Sequence, residues 1–459
     1  MASSPVVDVA AVLDRPRWSG VQKRVLAICF CLALLEGFDS QAMGYAAPGV
    51  AKEFGLGPGA LALVFSSALV GMFLGSGAFG LAADRFGRRR VLLVGTLVFG
   101  VGTVLIVVAG TSAGSLAALR FLAGIGMGGT IATQLALAAE YSPARIRSTV
   151  IMILVGSLGL GSFLGGVVAA ALIPAYGWRS IFAVGGILPL VLFVVMAVGL
   201  PDSLRFLLTS GRVAEARKLL ARVAPDAVVD ERVSLVLPEE TIRRSPVATL
   251  FTDGRAFGTT LVWIAGFMNF LAVYLLLSWL PALFEQAGLS SRTAVAATAT
   301  FTLGGFVGAI VLGLLIDRRG RANRLLALGY LGSAVFAVVA AVSTHQPPVL
   351  FGAIFLAGFG IIGCQGGVNA AAAAMYPTAA RGTGVGWASG AGRVGSIIGP
   401  TLGGSLLAAG LASTSIIAAA AVPMVLAAIA VAPLGSASRR RAEADSKNPA
   451  APAVEDTNA

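Results

Sequence analysis

Long apolar runs separated by short polar segments dominate the chain. Stretches without Asp, Glu, Lys or Arg cover 54–83, 148–178, 256–284 and 325–380, among others. A helix that crosses the hydrocarbon core needs about 20 apolar residues, so the last of these holds two helices, which separate near Pro347. The pattern predicts twelve membrane-spanning helices, at 25–47, 60–82, 91–110, 115–139, 148–172, 179–200, 257–283, 294–316, 324–343, 349–374, 383–408 and 412–434.

The polar segments divide these helices into two groups of six. The predicted parts are an N-terminal segment 1–24, a six-helix half 25–200, a linker 201–256, a second half 257–434 and a disordered tail 435–459. We therefore predict an all-α integral membrane protein with two six-helix, pseudo-symmetric halves.

Composition agrees with a membrane protein and excludes other classes. Of 459 residues, 57% are hydrophobic and 12% charged, whereas a soluble domain carries about 25% charged residues. A cytosolic enzyme, a secreted disulfide scaffold and a disordered protein are therefore excluded. Three Cys and one His provide neither a disulfide framework nor a metal centre, and we expect no cofactor.

The distribution of basic residues predicts the orientation. Most of the 33 Lys and Arg fall in segments that share one side of the membrane, and the opposite loops hold only Lys52, Arg179 and Arg292. Cytoplasmic loops carry this excess, so both termini are predicted to be cytoplasmic. The net charge of +12 then needs no nucleic-acid partner.

The two halves repeat each other. Residues 80–89 read GLAADRFGRR and residues 313–321 read GLLIDRRGR, an offset of 233; FLAGIG at 121–126 recurs as FLAGFG at 355–360, an offset of 234. Pro143 and Arg147 likewise correspond to Pro377 and Arg381. Internal repeats of this kind are typical of transporters that rock about a site between their halves.

These motifs resemble the major facilitator superfamily, whose loop signature G-x-x-x-D-R-x-G-R-R they carry twice. LEGFDSQA at 35–42, AAPG at 46–49, YP at 376–377 and GRVG at 392–395 are similar to the aromatic acid:proton symporters. That family commonly has D-G-x-D where this chain has E-G-F-D, a form that resembles the hydroxyphenylpropionate and hydroxybenzoate branch. The resemblance implies import of a small aromatic acid with protons.

Four charged residues lie inside predicted helices: Glu36, Asp39, Arg120 and Arg393. Charges at this depth cost about 2.5–3.5 kcal/mol and usually face a cavity. With a rise of about 1.5 Å per residue, Asp39 lies level with Arg120 and Glu36 level with Arg393. In the functional interpretation, the two acids carry the coupled protons and the two arginines bind the carboxylate of the substrate. The alternative is two structural ion pairs.

Further candidates have either functional or structural interpretations. Gln134, Asn269 and Gln365 could bind a phenolic hydroxyl or a neighbouring helix. The resemblance implies that the cytoplasmic loops govern the conformational switch. The alternative is that their arginines only determine the orientation of the protein in the membrane. The candidate switch residues are Gly80, Asp84, Arg85, Gly87, Arg88, Asp317, Arg318, Arg321 and Arg381.

We therefore predict a secondary transporter of the bacterial inner membrane, acting as a monomer. No Walker-type phosphate loop occurs, so ATP drive is not expected. Rival hypotheses are a proton-driven exporter on the same fold, which needs no carboxylate clamp, and a receptor built on a transporter body. An enzyme is the weakest alternative, because no nucleophile and base are placed together in the membrane.

Overall fold

The computed structural model describes residues 6–8, 18–223, 234–236, 247–252, 255–319, 322–376 and 378–434. Twelve long helices, labelled α1 to α12, follow the predicted segments. Their bounds are α1 Gly20–Phe54, α2 Pro58–Phe86, α3 Arg88–Ala109, α4 Ala113–Tyr141, α5 Arg147–Tyr176, α6 Arg179–Gly199, α7 Ala256–Gln286, α8 Ser291–Arg319, α9 Ala322–Val342, α10 Pro347–Met375, α11 Thr378–Ala408 and α12 Ser413–Val431, the last interrupted at Ala420.

Most of the helices are longer than the predicted segments; α6 and α12 are slightly shorter. α1 begins five residues before the predicted position 25, because Ser19 and Gln22 form a capping box beyond the apolar run. Eleven of the described helices have the length and hydropathy of a membrane span, and α11, which is 31 residues long, completes the predicted twelve. The predicted fold class is confirmed.

The linker adds short elements that lie outside the membrane-spanning set. Helices Leu204–Thr209 and Val213–Val223 follow α6, and Leu220 of the second packs with Val25 of α1 in one apolar cluster. Val6–Asp8 and Ser234–Val236 form a parallel pair of short strands. The predicted disordered tail 435–459 lies outside the described residues.

Close helix packing at glycines reproduces the sequence repeat in three dimensions. A Cβ on Gly124 of α4 would lie 2.2 Å from the Ala68 carbonyl oxygen of α2, and one on Gly358 of α10 would lie 1.9 Å from the Phe301 oxygen of α8. Only a residue without a side chain allows this approach, as is common where helices associate in membranes. The two halves therefore share one internal packing arrangement.

Candidate functional site

A cavity lies where the two halves meet, at mid-length of the helices. α1, α2 and α4 of the first half and α7 of the second form its wall. Its lining combines methionine and aromatic side chains with a few polar groups: Ser40, Gln41, Met43, Gly44, Phe65, Ala68, Leu69, Met72, Arg120, Met127, Tyr274, Leu277 and Ser278. An apolar lining with a small number of polar groups is typical of a small-molecule site. The volume of this cavity is about 30 Å³, whereas ligand pockets measure about 300–1,000 Å³, so the halves must move apart before an organic ligand fits.

Asp39 of α1 and Arg120 of α4 form a buried ion pair beside this cavity. Arg120 Nη1 lies 2.6 Å from Asp39 Oδ2, and its Nη2 lies 3.2 Å from the Asp39 carbonyl oxygen. The two residues are 0% and 2% exposed. The predicted common level of Asp39 and Arg120 is thus confirmed.

Two further groups hold this pair in place. The Thr103 hydroxyl of α3 donates to Asp39 Oδ1 at 3.0 Å, and the Arg120 guanidinium lies 5.9 Å from the Phe182 ring. Arg120 Nε has no hydrogen-bond partner among the described residues, and the arginine lines the cavity. A buried donor without a partner carries a desolvation cost of about 1–3 kcal/mol, so this arginine has capacity for an additional acceptor.

Glu36 occupies a different environment, three residues away on the same helix. Its carboxylate accepts hydrogen bonds from the Thr130 hydroxyl and the Gln134 side-chain amide, both on α4. It is 0% exposed and forms no salt bridge with another described residue. Although the helical rise places Glu36 level with Arg393, the structure does not pair them.

Arg393 of α11 is the second arginine inside the membrane. Its guanidinium makes no ion pair or hydrogen bond with the part of the chain that the structure describes. It lies within electrostatic reach of Tyr274, whose ring stacks on Phe270 at 6.0 Å. Tyr274 lines the cavity, whereas Arg393 itself is not among the lining residues.

The neutral polar candidates have separate positions. Gln134 donates to Glu36, and Asn269 donates to the Ile361 carbonyl oxygen at 2.7 Å, which ties α7 to α10. Gln365 is half-buried and makes no side-chain hydrogen bond to another described residue. Of these three, only Gln134 contacts one of the embedded charges.

Sequence analysis missed two hydroxyl residues that contact the acids. Thr103 and Thr130 are each 0% exposed and bind Asp39 and Glu36 respectively. Threonine is common in membrane helices, where its hydroxyl usually bonds within its own helix, as Thr130 also does to Met127. No sequence pattern distinguishes these two residues from the other threonines of the chain.

At one end of the helices, the repeated loop signature contacts the start of the linker. Arg88 forms a 2.6 Å ion pair with Glu140, which also accepts a hydrogen bond from Ser203. Arg89 donates to the Leu200 and Ala197 carbonyl oxygens. The start of α3 is therefore tied to α4 and to the C-terminal end of α6, and Glu140 extends this contact to Ser203 of the linker.

The remaining switch candidates have varied environments. Gly87, with φ +91°, sits where a Cβ would meet the Phe206 ring at 2.8 Å, so glycine is needed at this turn. Arg85 and Arg318 are exposed, and a Cβ on Gly80 would meet nothing within 4 Å. The side chains of Asp84, Asp317 and Arg381, and all of Arg321, lie outside the described part of the structure.

Beside the cavity, polar contacts join the two halves. The Ser66 hydroxyl of α2 lies 3.0 Å from Thr401 Oγ1 and donates to the Ile397 carbonyl oxygen of α11 at 3.0 Å. Gln41 donates to the Leu277 carbonyl oxygen of α7, and both of these residues line the cavity. We call Ser66, Thr401, Ile397, Gln41 and Leu277 the inter-half clasp.

Two matching six-helix halves around a buried, mostly apolar cavity with a few polar groups define a polytopic membrane transporter rather than an enzyme. The profile of the Major Facilitator Superfamily matches residues 29–297 and, in a second match, 262–455. The chain therefore belongs to the major facilitator superfamily.

Individual relatives and solved structures agree with this assignment. The chain is 38% identical to the 4-hydroxybenzoate transporter of Pseudomonas putida, over 88% of this chain and 90% of that protein. It is 37% identical to the gallate transporter of the same species, with the same coverage of both chains. The inward-open xylose transporter from E. coli superimposes with a TM-score of 0.70 at 18% identity, covering 89% of this chain and 95% of that one.

The inter-half clasp leads to the first prediction. If α2 and α11 separate during transport, a disulfide between Ser66→Cys and Thr401→Cys should hold them together, because the two hydroxyl oxygens are 3.0 Å apart. Uptake by the double variant should fall to near background after oxidation and return after reduction. The single variants, which keep the native Cys29, Cys31 and Cys364, are the matched controls. Full transport by the oxidised, cross-linked protein would show that these helices do not part.

Proposed function

We propose that this protein imports a small aromatic carboxylate, similar to a hydroxybenzoate or a hydroxyphenylpropionate, together with protons by alternating access. The relatives described above are named as transporters of 4-hydroxybenzoate and gallate, both of which are aromatic acids. The observation that carries the proposal is the buried Asp39–Arg120 pair on the wall of a cavity lined by methionine and aromatic side chains. An exporter of uncharged compounds has no need for such a pair.

Two arginines are available to bind the carboxylate. Arg393 has no ion-pair partner among the described residues, and a guanidinium can hold a carboxylate with two parallel hydrogen bonds. Arg120 presents its unpartnered Nε beside the cavity. The aromatic ring of the substrate then packs among Phe65, Tyr274 and the cavity methionines, where sulfur–aromatic contacts contribute about 0.3–1.5 kcal/mol each.

Asp39 and Glu36 supply the proton coupling in this proposal. A substrate carboxylate that draws Arg120 away leaves Asp39 without its positive partner, and loss of a nearby opposite charge favours the protonated acid. Glu36 has hydroxyl and amide partners and can exchange a proton without breaking an ion pair. Both acids lie on α1, so one helix carries the proton-binding groups.

The orientation of the protein in the membrane determines which side of the cavity is closed in this structure. We propose that the protein spans the bacterial inner membrane as a monomer, with both termini cytoplasmic and halves at 25–200 and 257–434. The start of α2 then lies at the periplasmic end, where a Cβ on Gly404 of α11 would lie 2.9 Å from the Pro58 carbonyl oxygen, so the structure is closed to the outside. Gln134, Asn269 and Gln365 are the proposed polar contacts for ring substituents, with Gln134 acting through Glu36.

The cytoplasmic loops are proposed to control the exchange between states. Arg88 bridges to Glu140 of α4 at 2.6 Å, and the C-terminal end of α6 accepts hydrogen bonds from Arg89. These contacts fix the start of α3 relative to α4 and α6 within one half. We assign the same control to Gly80, Asp84, Arg85, Gly87, Asp317, Arg318, Arg321 and Arg381.

Uptake of labelled acids tests the proposed function. Cells that express the protein should accumulate 4-hydroxybenzoate or a related hydroxylated aromatic acid above cells with an empty vector, and an uncoupler should abolish the accumulation. The neutral analogue 4-hydroxybenzamide, which lacks the carboxylate, should not compete. Accumulation that resists the uncoupler, or no accumulation of any aromatic acid tested, contradicts the proposal.

Substitution of Arg393 tests the proposed carboxylate clamp through the KM for the aromatic acid. Arg393→Lys keeps the charge but loses the planar fork, and hydrogen bonds to charged groups contribute about 1.5–3 kcal/mol. We therefore expect KM for the aromatic acid to rise by about tenfold or more. Arg179→Lys, which changes a surface arginine paired with Glu53, is the matched control. Wild-type KM in Arg393→Ala would exclude the clamp.

A comparison of uphill accumulation with downhill exchange tests the role of each acid in proton coupling. Asp39→Asn preserves side-chain size and removes titration, so proteoliposomes should lose uphill accumulation while retaining downhill counterflow of substrate. Glu36→Gln tests the second acid in the same assay, and Glu53→Gln, at the outer end of α1, serves as the control. If both Asp39→Asn and Glu36→Gln accumulate substrate normally, the coupling assignment is wrong.

A further inference from the structure

A second cavity lies between α5 and α8, apart from the candidate substrate site. We call it the α5–α8 groove; its lining includes Phe163, Val167, Ala170, Arg292, Ala296 and Thr300. Its volume of about 650 Å³ falls within the range of about 300–1,000 Å³ for ligand pockets. Apart from Arg292 and Thr300, these lining residues are apolar.

The groove is open at its rim. On α5, Gly161 faces α1, since a Cβ there would lie 2.0 Å from the Leu34 carbonyl oxygen. At 3.6 residues per turn, Phe163 lies about 200° around the helix from Gly161 and so points away from α1, whereas Gly166 forms the inner wall of the groove near the Tyr45 hydroxyl of α1. Val167, one turn beyond Phe163, is 52% exposed within a segment that spans the membrane.

One basic side chain stands at the mouth of this apolar groove. Arg292 is the second residue of α8, which places it at the level of the lipid headgroups. It is exposed and forms no salt bridge with another described residue. Arg179, at the same end of the bundle, differs because Glu53 binds it at 2.7 Å and its guanidinium lies 4.3 Å from the Trp178 ring.

We propose that the α5–α8 groove binds an anionic phospholipid, with one acyl chain in the groove and the phosphate on Arg292. An apolar channel that ends in a cation at headgroup depth is complementary to an amphiphile with a negative head. A basic residue near anionic lipid contributes about 1 kcal/mol, which corresponds to about a fivefold change in affinity. Because α5 and α8 belong to different halves, the bound lipid contacts both.

Lipid binding to the purified full-length protein tests this inference. Native mass spectrometry should show tighter binding of dioleoyl phosphatidylglycerol than of dioleoyl phosphatidylcholine, which has the same chains. Arg292→Gln should weaken phosphatidylglycerol binding about fivefold and leave phosphatidylcholine binding unchanged. Ala170→Leu, which fills the groove, should weaken the binding of both lipids. Glycerol 3-phosphate, which has the headgroup charge without the chains, should not displace the lipid.

Arg179→Gln is the matched control, since it removes an equal charge from the same end of the protein outside the groove. Retained phosphatidylglycerol binding in this control, with loss in Arg292→Gln, supports the proposed site. Equal losses in the two arginine variants indicate general attraction of anionic lipid and overturn the proposal. Equal affinity of the wild-type protein for the two lipids overturns it as well, as does displacement by glycerol 3-phosphate.

Discussion

The site depends on the cost of placing charge within a membrane-spanning bundle. Asp39 and Arg120 are almost completely buried, and each would be strongly destabilising without the other, by about 3–5 kcal/mol when one partner of a buried pair is removed. A well-packed apolar pair is often as stable as a buried ion pair, so stability alone does not explain the presence of these charges. In this protein the pair borders the cavity, and Thr103 adds a third contact that fixes the carboxylate. In the proposed function, the same arrangement that neutralises the charges lets an incoming anion compete for Arg120.

Packing around the pair separates rigid parts from movable ones. Within each half, glycines bring helix backbones into direct contact, as at Gly124 and Gly358, and such contacts do not slide without steric overlap. Across the halves, the clasp at Ser66 and Thr401 consists of hydrogen bonds near exposed positions. Water can replace these hydrogen bonds at little net cost, because a typical one contributes only about 0.5–1.5 kcal/mol. The structure therefore favours motion between the halves over rearrangement inside them.

Sequence alone predicted the twelve helices and the four embedded charges, because apolar length and the rarity of charge in lipid are strong local signals. Axial rise also matched Asp39 with Arg120. The same calculation placed Glu36 level with Arg393, but these two residues do not pair. Depth along the membrane normal does not define the direction in which a side chain points around its helix. Thr103 and Thr130 could not be found for the same reason: their roles follow from helix rotation and packing, which the apolar pattern does not encode.

The central claim is that binding of an aromatic acid and protonation of the buried carboxyls are linked. Calorimetric titration of the purified protein with 4-hydroxybenzoate, repeated at one pH in buffers of different ionisation enthalpy, measures the protons taken up on binding. Our account predicts net proton uptake in the wild-type protein, with a reduced value in Asp39→Asn. Binding with the same enthalpy in every buffer would mean that no proton enters with the substrate, and would contradict the linkage.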